Sequence, residues 1–288
     1  TIATDIRGGE IWAGTTENNT ITMNGGTVGK DLIGGLAHSG TVTGNTVILT
    51  GGSVDGSIMG GNSYNAAITG NTVTLKGGTV KKNVYGGKED QGNSGATNNT
   101  VNWYNGEING SLYGGYSNKG DGFTGNTLNL YAKKSIMTVG GFENYNFYLP
   151  DDFTVSKDTM LTLTGTNTVD LSNVTVGAEK PFGGDMLKAD DWIGLIGGDL
   201  TNTPTGSIYI KEGIASIYNA SLDHDETNKR LNAVIKSTTE LSVDVYGTHV
   251  PGVYAYRVEG GTGSGDITAT GGEYIVPTST DLQAREIR

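Results

Sequence analysis

Short runs in which apolar and polar residues alternate punctuate the first half of the chain. The clearest are Asn19-Thr20-Ile21-Thr22-Met23, Asn45-Thr46-Val47-Ile48-Leu49, Asn71-Thr72-Val73-Thr74-Leu75, Asn99-Thr100-Val101-Asn102-Trp103 and Asn126-Thr127-Leu128-Asn129-Leu130. Alternation of period two marks a half-buried strand, because successive Cβ atoms of an extended backbone point to opposite faces. Each Asn, the central Val, Ile or Leu and the closing Met, Leu or Trp then share one face, and the Thr and the fourth residue share the other. Two further apolar columns keep the same step, one through Val28, Val54, Val80 and Ile108, the other through Leu32, Ile58, Val84 and Leu112.

Glycine pairs run in phase with these strands. They stand at Gly8-Gly9, Gly34-Gly35, Gly60-Gly61, Gly86-Gly87, Gly114-Gly115 and Gly140-Gly141, with spacings of 26, 26, 26, 28 and 26, and each Asn run begins 10 to 12 residues after a pair. A period of this length holding three short strands leaves no room for a helix. Stacking each period on the last as parallel strands, about 4.8 Å apart, brings the apolar columns together. The expected fold is therefore all-β, a right-handed parallel β-helix with about 26 residues per coil. The Asn column is expected to form a hydrogen-bonded ladder, and the paired glycines to turn the corners of each coil through positive φ or close backbone approach. The connections 36–44, 62–70, 88–98 and 116–125 share little sequence and read either as solvated turns or as a recognition face.

From about residue 142 the period fades while alternation persists, as in Met160-Leu161-Thr162-Leu163. The division expected is 1–149 for the regular coils, 150–205 for irregular further coils, 206–277 for a C-terminal β-rich cap and 278–288 for the start of a linker helix. The apolar block Trp192-Ile193-Gly194-Leu195-Ile196 is a candidate to cover the end of the stack. Within the cap, Ile208-Tyr209-Ile210, residues 214–222 and 231–235 suggest strands that include an antiparallel hairpin, with the turn in 223–229 and more strands at 241–246 and 253–256. Thr280-Asp281-Leu282-Gln283 fits a capping box, and the two turns after it are too short to be stable alone, so the polypeptide is expected to continue beyond Arg288.

Composition sharpens this picture. The 288 residues include 48 Gly but only 5 Pro, all at or after Pro150, as suits a ladder that tolerates few missing N–H groups. Glycine without a three-residue period excludes collagen, and 35% hydrophobic residues with 14 Tyr exclude a chain too polar to collapse. A net charge of −11 (19 − 30), with no basic cluster, would repel nucleic acid. The absence of Cys rules out a disulfide scaffold, a thiolate nucleophile, an iron–sulfur cluster and a thiolate zinc site. No apolar stretch approaches the roughly 20 residues that span a bilayer, so direct membrane insertion of this segment is not expected.

Candidate chemistry is sparse. His38, His224 and His249 stand in no metal-ligand spacing, and Gly260 to Asp266 lacks the repeated Asp or the Lys of a calcium or phosphate loop, so neither a metal nor a cofactor is expected. Polysaccharide lyases and hydrolases on this kind of fold need carboxylates converging on one sheet. Here Asp55 aligns with Gly29, Lys81 and Asn109, and Asp31 with Ser57, Asn83 and Ser111, so no carboxylate column forms. Asp190-Asp191 or Asp223 and Asp225 could still pair, and catalysis is the alternative reading. The pairs Thr20/Thr22 and Thr72/Thr74 suggest an ice-binding lattice, which Ile48, Asn102 and Asn129 interrupt. The candidate ligand contacts are Tyr64, Tyr85, Tyr113 and Tyr116, since aromatic rings beside glycine can stack on sugars or, equally, cover the coil edges.

The reiterated Asn-Thr-Val-x-Leu-x-Gly-Gly-x-Val and Val-Tyr-Gly-Gly marks, the missing Cys, the acidic balance and the cap followed by a helix together resemble the passenger region of a bacterial autotransporter. That resemblance implies a non-enzymatic adhesin or structural stalk, displayed at the surface of a Gram-negative bacterium. It also implies a C-terminal outer-membrane barrel beyond Arg288, and a cap that nucleates coil-by-coil folding outside the cell. Glycans, host or matrix proteins, or like chains would be the partners.

Overall fold

In the computed structural model of the protein, which describes residues 1–92, 95–119, 123–181, 187–212 and 216–236, all regular structure is β-strand. The described strands form one sheet of 15, one of 9 and a two-stranded pair. Parallel strands stack as a β-solenoid of about six turns, roughly 26 residues apart. The expected strands at 241–246 and 253–256 and the helix at 278–288 lie outside the described residues.

The register follows the sequence columns. Ile21, Val47, Val73, Val101 and Leu128 are successive partners in the larger sheet, and Leu32, Ile58, Val84 and Leu112 in the smaller one. With Val28, Val54, Val80 and Ile108 they fill one continuous core that runs on to Ile235. The Asn column forms the ladder. Asn19, Asn45, Asn71 and Asn99 each donate Nδ2–H to the Oδ1 of the next Asn, at 2.8 to 3.1 Å. The same Oδ1 atoms accept the backbone N–H of the preceding ladder Asn. Asn45, Asn71, Asn99 and Asn126 are fully buried, so this pairing meets the demand of an amide removed from water.

Of the two roles expected of the glycine pairs, close approach holds, but within strands and not at the corners. Gly34-Gly35 and Gly60-Gly61 lie inside the strands Leu32–Thr43 and Ile58–Ser63, while the corners carry Gly26, Gly52, Gly78 and Gly106 at φ of 79 to 90°. The pair passes directly over the Asn ladder. A Cβ on Gly34 would lie 2.3 Å from the Gly60 carbonyl oxygen, and one on Gly35 would lie 2.6 Å from Asn45 Nδ2. The two sequence marks keep step because they touch.

This contact forms a waist. On one side lies the main core, and on the other a small lobe of Ala37, Val42, Ile68 and Ala96, flanked by Ile11 and Phe123. The connections 36–44, 62–70 and 88–98 are thus more than solvated turns. Strand Leu32–Thr43 runs through the first, and Ile68–Thr69 and Ala96–Thr97 pair in the others.

The last described strands are antiparallel. Gly206–Glu212 pairs with Ser216–Asp225, which pairs with Arg230–Ile235, and the last of these joins Trp192–Gly197. The first of them lies parallel to Thr175–Lys180, so one continuous sheet bridges two faces of the solenoid and leaves neither with a free edge there. Trp192–Gly197 is consequently an interior strand of this sheet, with Ile193, Leu195 and Ile196 fully buried, and not a lid laid over the stack. Lys180 and Glu212 pair at 2.9 Å in the buried seam, where the Tyr218 hydroxyl donates to Glu212.

Candidate functional site

Along the smaller sheet, alternate residues face away from the main core. The outward column runs Arg7, Ile33, Met59, Tyr85, Tyr113 and Gly140. A neighbouring column runs Leu36, Asn62, Lys88 and Tyr116. Side chains on an outer face would ordinarily be solvated, yet Ile33, Leu36, Met59 and Tyr85 are each at most 6% exposed and form a cluster separate from the main core. Tyr113 and Tyr116 pack against it and stay half-exposed.

Three of the four tyrosines singled out from the sequence meet here. Tyr85 and Tyr113 stack at 5.3 Å, and Tyr116 meets both edge-on at 5.4 and 5.2 Å. Gly140 lies beneath the Tyr113 ring, where a Cβ would come within 3.3 Å of it. Asn83 Nδ2 donates to the Tyr85 hydroxyl at 2.7 Å, and burial pushes the Tyr85 phenol above its ordinary pKa, so it stays neutral. Lys88 Nζ sits 5.8 Å from the Tyr85 ring centre and pairs with Asp90. The result is a rigid apolar and aromatic patch with phenol and ammonium groups at its margin.

Tyr64 is elsewhere. It closes a stack with His38 and Trp12, whose ring centres are separated by 5.0 and 4.0 Å, and Glu10 holds His38 Nε2 at 3.1 Å. The register Ile11↔Ala37↔Ser63 places these three rings in one column. Trp12, His38 and Tyr64 are separated by 26 residues each. That interval was the available signal, hidden because the residue types differ. In a stack the ring faces are spent on neighbours and the edges look outward. Trp12, the first of the three, is 76% exposed.

Four of the carboxylates considered for catalysis are engaged within the fold. Asp55 pairs with Lys81 at 2.8 Å, which lowers the Asp55 pKa, and Asp31 accepts the Ser57 backbone N–H at 2.7 Å. Asp191 accepts from Ser156 Oγ, and Asp225 accepts from Asn228. The Thr column that suggested an ice-binding lattice passes into a second Asn ladder, Asn146 to Asn129 to Asn102, each amide spent on the next. His249 and residues 260–266 lie outside the described residues, and among the described ones no group of three or more His, Asp or Glu is placed to hold a metal ion. No family model, curated protein or solved structure matches this chain.

Proposed function

We propose that the chain is a surface-displayed β-solenoid of the autotransporter-passenger type, acting without catalysis as an adhesive or stalk module. Its contact surface is the pair of half-exposed rings Tyr113 and Tyr116, set on a buried base of Tyr85, Ile33, Leu36 and Met59. What carries this reading is that patch: an apolar, aromatic cluster built on the outer side of a sheet, beyond what the solenoid core requires. Half-exposed tyrosines held on a buried apolar base offer contact area at low entropic cost. The partner classes it suits are glycans, matrix or host proteins, and like chains. The Tyr64 stack is a second contact, through ring edges and the open face of Trp12.

The test is retention of the purified chain on glycan and matrix-protein arrays, with product analysis on the same samples. Retention that falls at least tenfold in a Tyr113→Ala, Tyr116→Ala variant, with no new reducing ends, supports the reading. New reducing ends would replace it with a polysaccharide-active enzyme. Reading the gene beyond Arg288 tests the display route, through roughly 10-residue amphipathic strands that a barrel requires.

A further inference from the structure

A third column of rings occupies the outer side of the larger sheet. Tyr104, Tyr131 and Tyr148 directly follow the buried core residues Trp103, Leu130 and Phe147 in register, so they face outward. Their rings stack at 4.0 and 4.3 Å with planes only 8° and 6° apart, the closest and most nearly parallel tyrosine contacts among the described residues. Tyr104 is 40% exposed, and the other two are half-buried. The register sets the three side chains one above the other on successive strands.

We propose that Tyr104, Tyr131 and Tyr148 form an oxidative cross-linking site, at which a one-electron oxidant of the peroxidase class joins neighbouring phenols as dityrosine and staples successive coils. In the step, each of two phenols loses one electron and one proton to become a phenoxyl radical. The radicals combine through a new bond between their ortho carbons, and each carbon then releases its hydrogen as a proton to the phenoxyl oxygen through solvent. Hydrogen peroxide takes up the two electrons and two protons and leaves as two waters. A partner phenol already in ring contact makes the coupling effectively unimolecular, the condition under which proximity accelerates most. The chain has no thiol to intercept the radical and no disulfide to tie its coils, so this column is its available covalent link. Tyr209, at 68% exposed, stacks on no ring among the described residues and serves as the contrast.

Dilute chain spanning residues 1–288, treated with peroxidase and hydrogen peroxide, should gain dityrosine fluorescence. Peptide mapping should find 104 joined to 131, or 131 to 148, at a mass two hydrogens below the sum. Tyr131→Phe keeps the stacked ring and removes the central phenol, and should abolish both products while leaving the thermal midpoint of unoxidised protein unchanged. Tyr148→Phe should retain only the 104–131 product, and Tyr209→Phe should change nothing. The proposal is overturned if Tyr131→Phe cross-links at the wild-type yield, if dityrosine forms only between separate chains, or if the products map to Tyr85 and Tyr113 instead.

Discussion

Between Asn19 and Asn126 successive coils advance by 26 to 28 residues, whereas from Leu128 onward the same strand column steps by 17 to Tyr145 and then by 31 to Val176. Both regions share one unbroken apolar core. What differs is the polar ladder, which ends where the register places Glu143 opposite Asn126. Glu143 accepts the Gly125 backbone N–H and passes no amide onward. Apolar columns therefore tolerate coils of unequal length, because dispersion and burial are non-directional. A buried amide asks more, an acceptor at a fixed place on the next coil, and Glu143 does not relay it. Beyond the ladder the large rings of Tyr145 and Phe147 take up the core, and antiparallel strands follow.

Breaking the cap is expected to have the largest effect. Lys180→Ala removes an ammonium that meets the fully buried Glu212 at 2.9 Å, and should cost about 4 kcal/mol by urea denaturation. Pairing it with Glu212→Gln should recover part of that, which a double-mutant cycle measures. Next comes the ladder. Asn71→Ala deprives the Asn45 backbone N–H and Nδ2 of their shared acceptor in a buried site, for about 3 kcal/mol, whereas Asn129→Ala in the outer ladder should cost under about 1 kcal/mol. Equal losses at the two sites would remove the distinction drawn between them.

Glycine substitutions sharpen the comparison with a smaller effect. A Cβ on Gly60 would lie 2.5 Å from the Gly86 carbonyl oxygen, so Gly60→Ala should cost about 2 kcal/mol of overpacking strain. In the later coils Gly177 meets only the Asn146 Oδ1 at 3.2 Å, and Gly177→Ala should be nearly neutral by the same measurement. The last contrast lies in pH. Burial raises the pKa of Tyr145, Tyr85 and Tyr131 above the ordinary tyrosine value. A proton held more tightly in the folded state stabilises fully below the unfolded pKa, about 10, and that contribution is lost as pH rises above it. Thermal midpoints should fall above about pH 10, as tyrosinate absorbance grows, and Tyr145→Phe should flatten that limb.

Much of the solenoid was legible because each column repeats one chemical type at one interval. The Asn ladder, the inward Val and Leu columns and the strands around the 223–229 turn could be read in this way. The glycine pairs were misplaced because a count of glycine does not distinguish positive φ from close approach. Here the pairs serve the second need, and the first falls to Gly26 and its equivalents and to the residue before each ladder Asn, such as Gly44 at φ 64° and Asn98 at φ 54°. Of the candidate site, Tyr85, Tyr113 and Tyr116 were found through their neighbouring glycines, while Ile33, Leu36 and Met59 beneath them were not. An outward position in an alternating strand gives no sign that something covers it.

By itself the sequence determined the period, the parallel stacking and the identity of the core, because a two-residue alternation repeated every 26 residues admits few ways to bury its apolar face. Only the tertiary structure decided which rings meet. Trp12, His38 and Tyr64 become one stack, Tyr104, Tyr131 and Tyr148 another, and the three cap strands join two distant faces into a single sheet. Those outcomes depend on how far each connection carries the chain sideways. That distance arises from the three-dimensional path of the backbone and leaves no periodic trace in the residues.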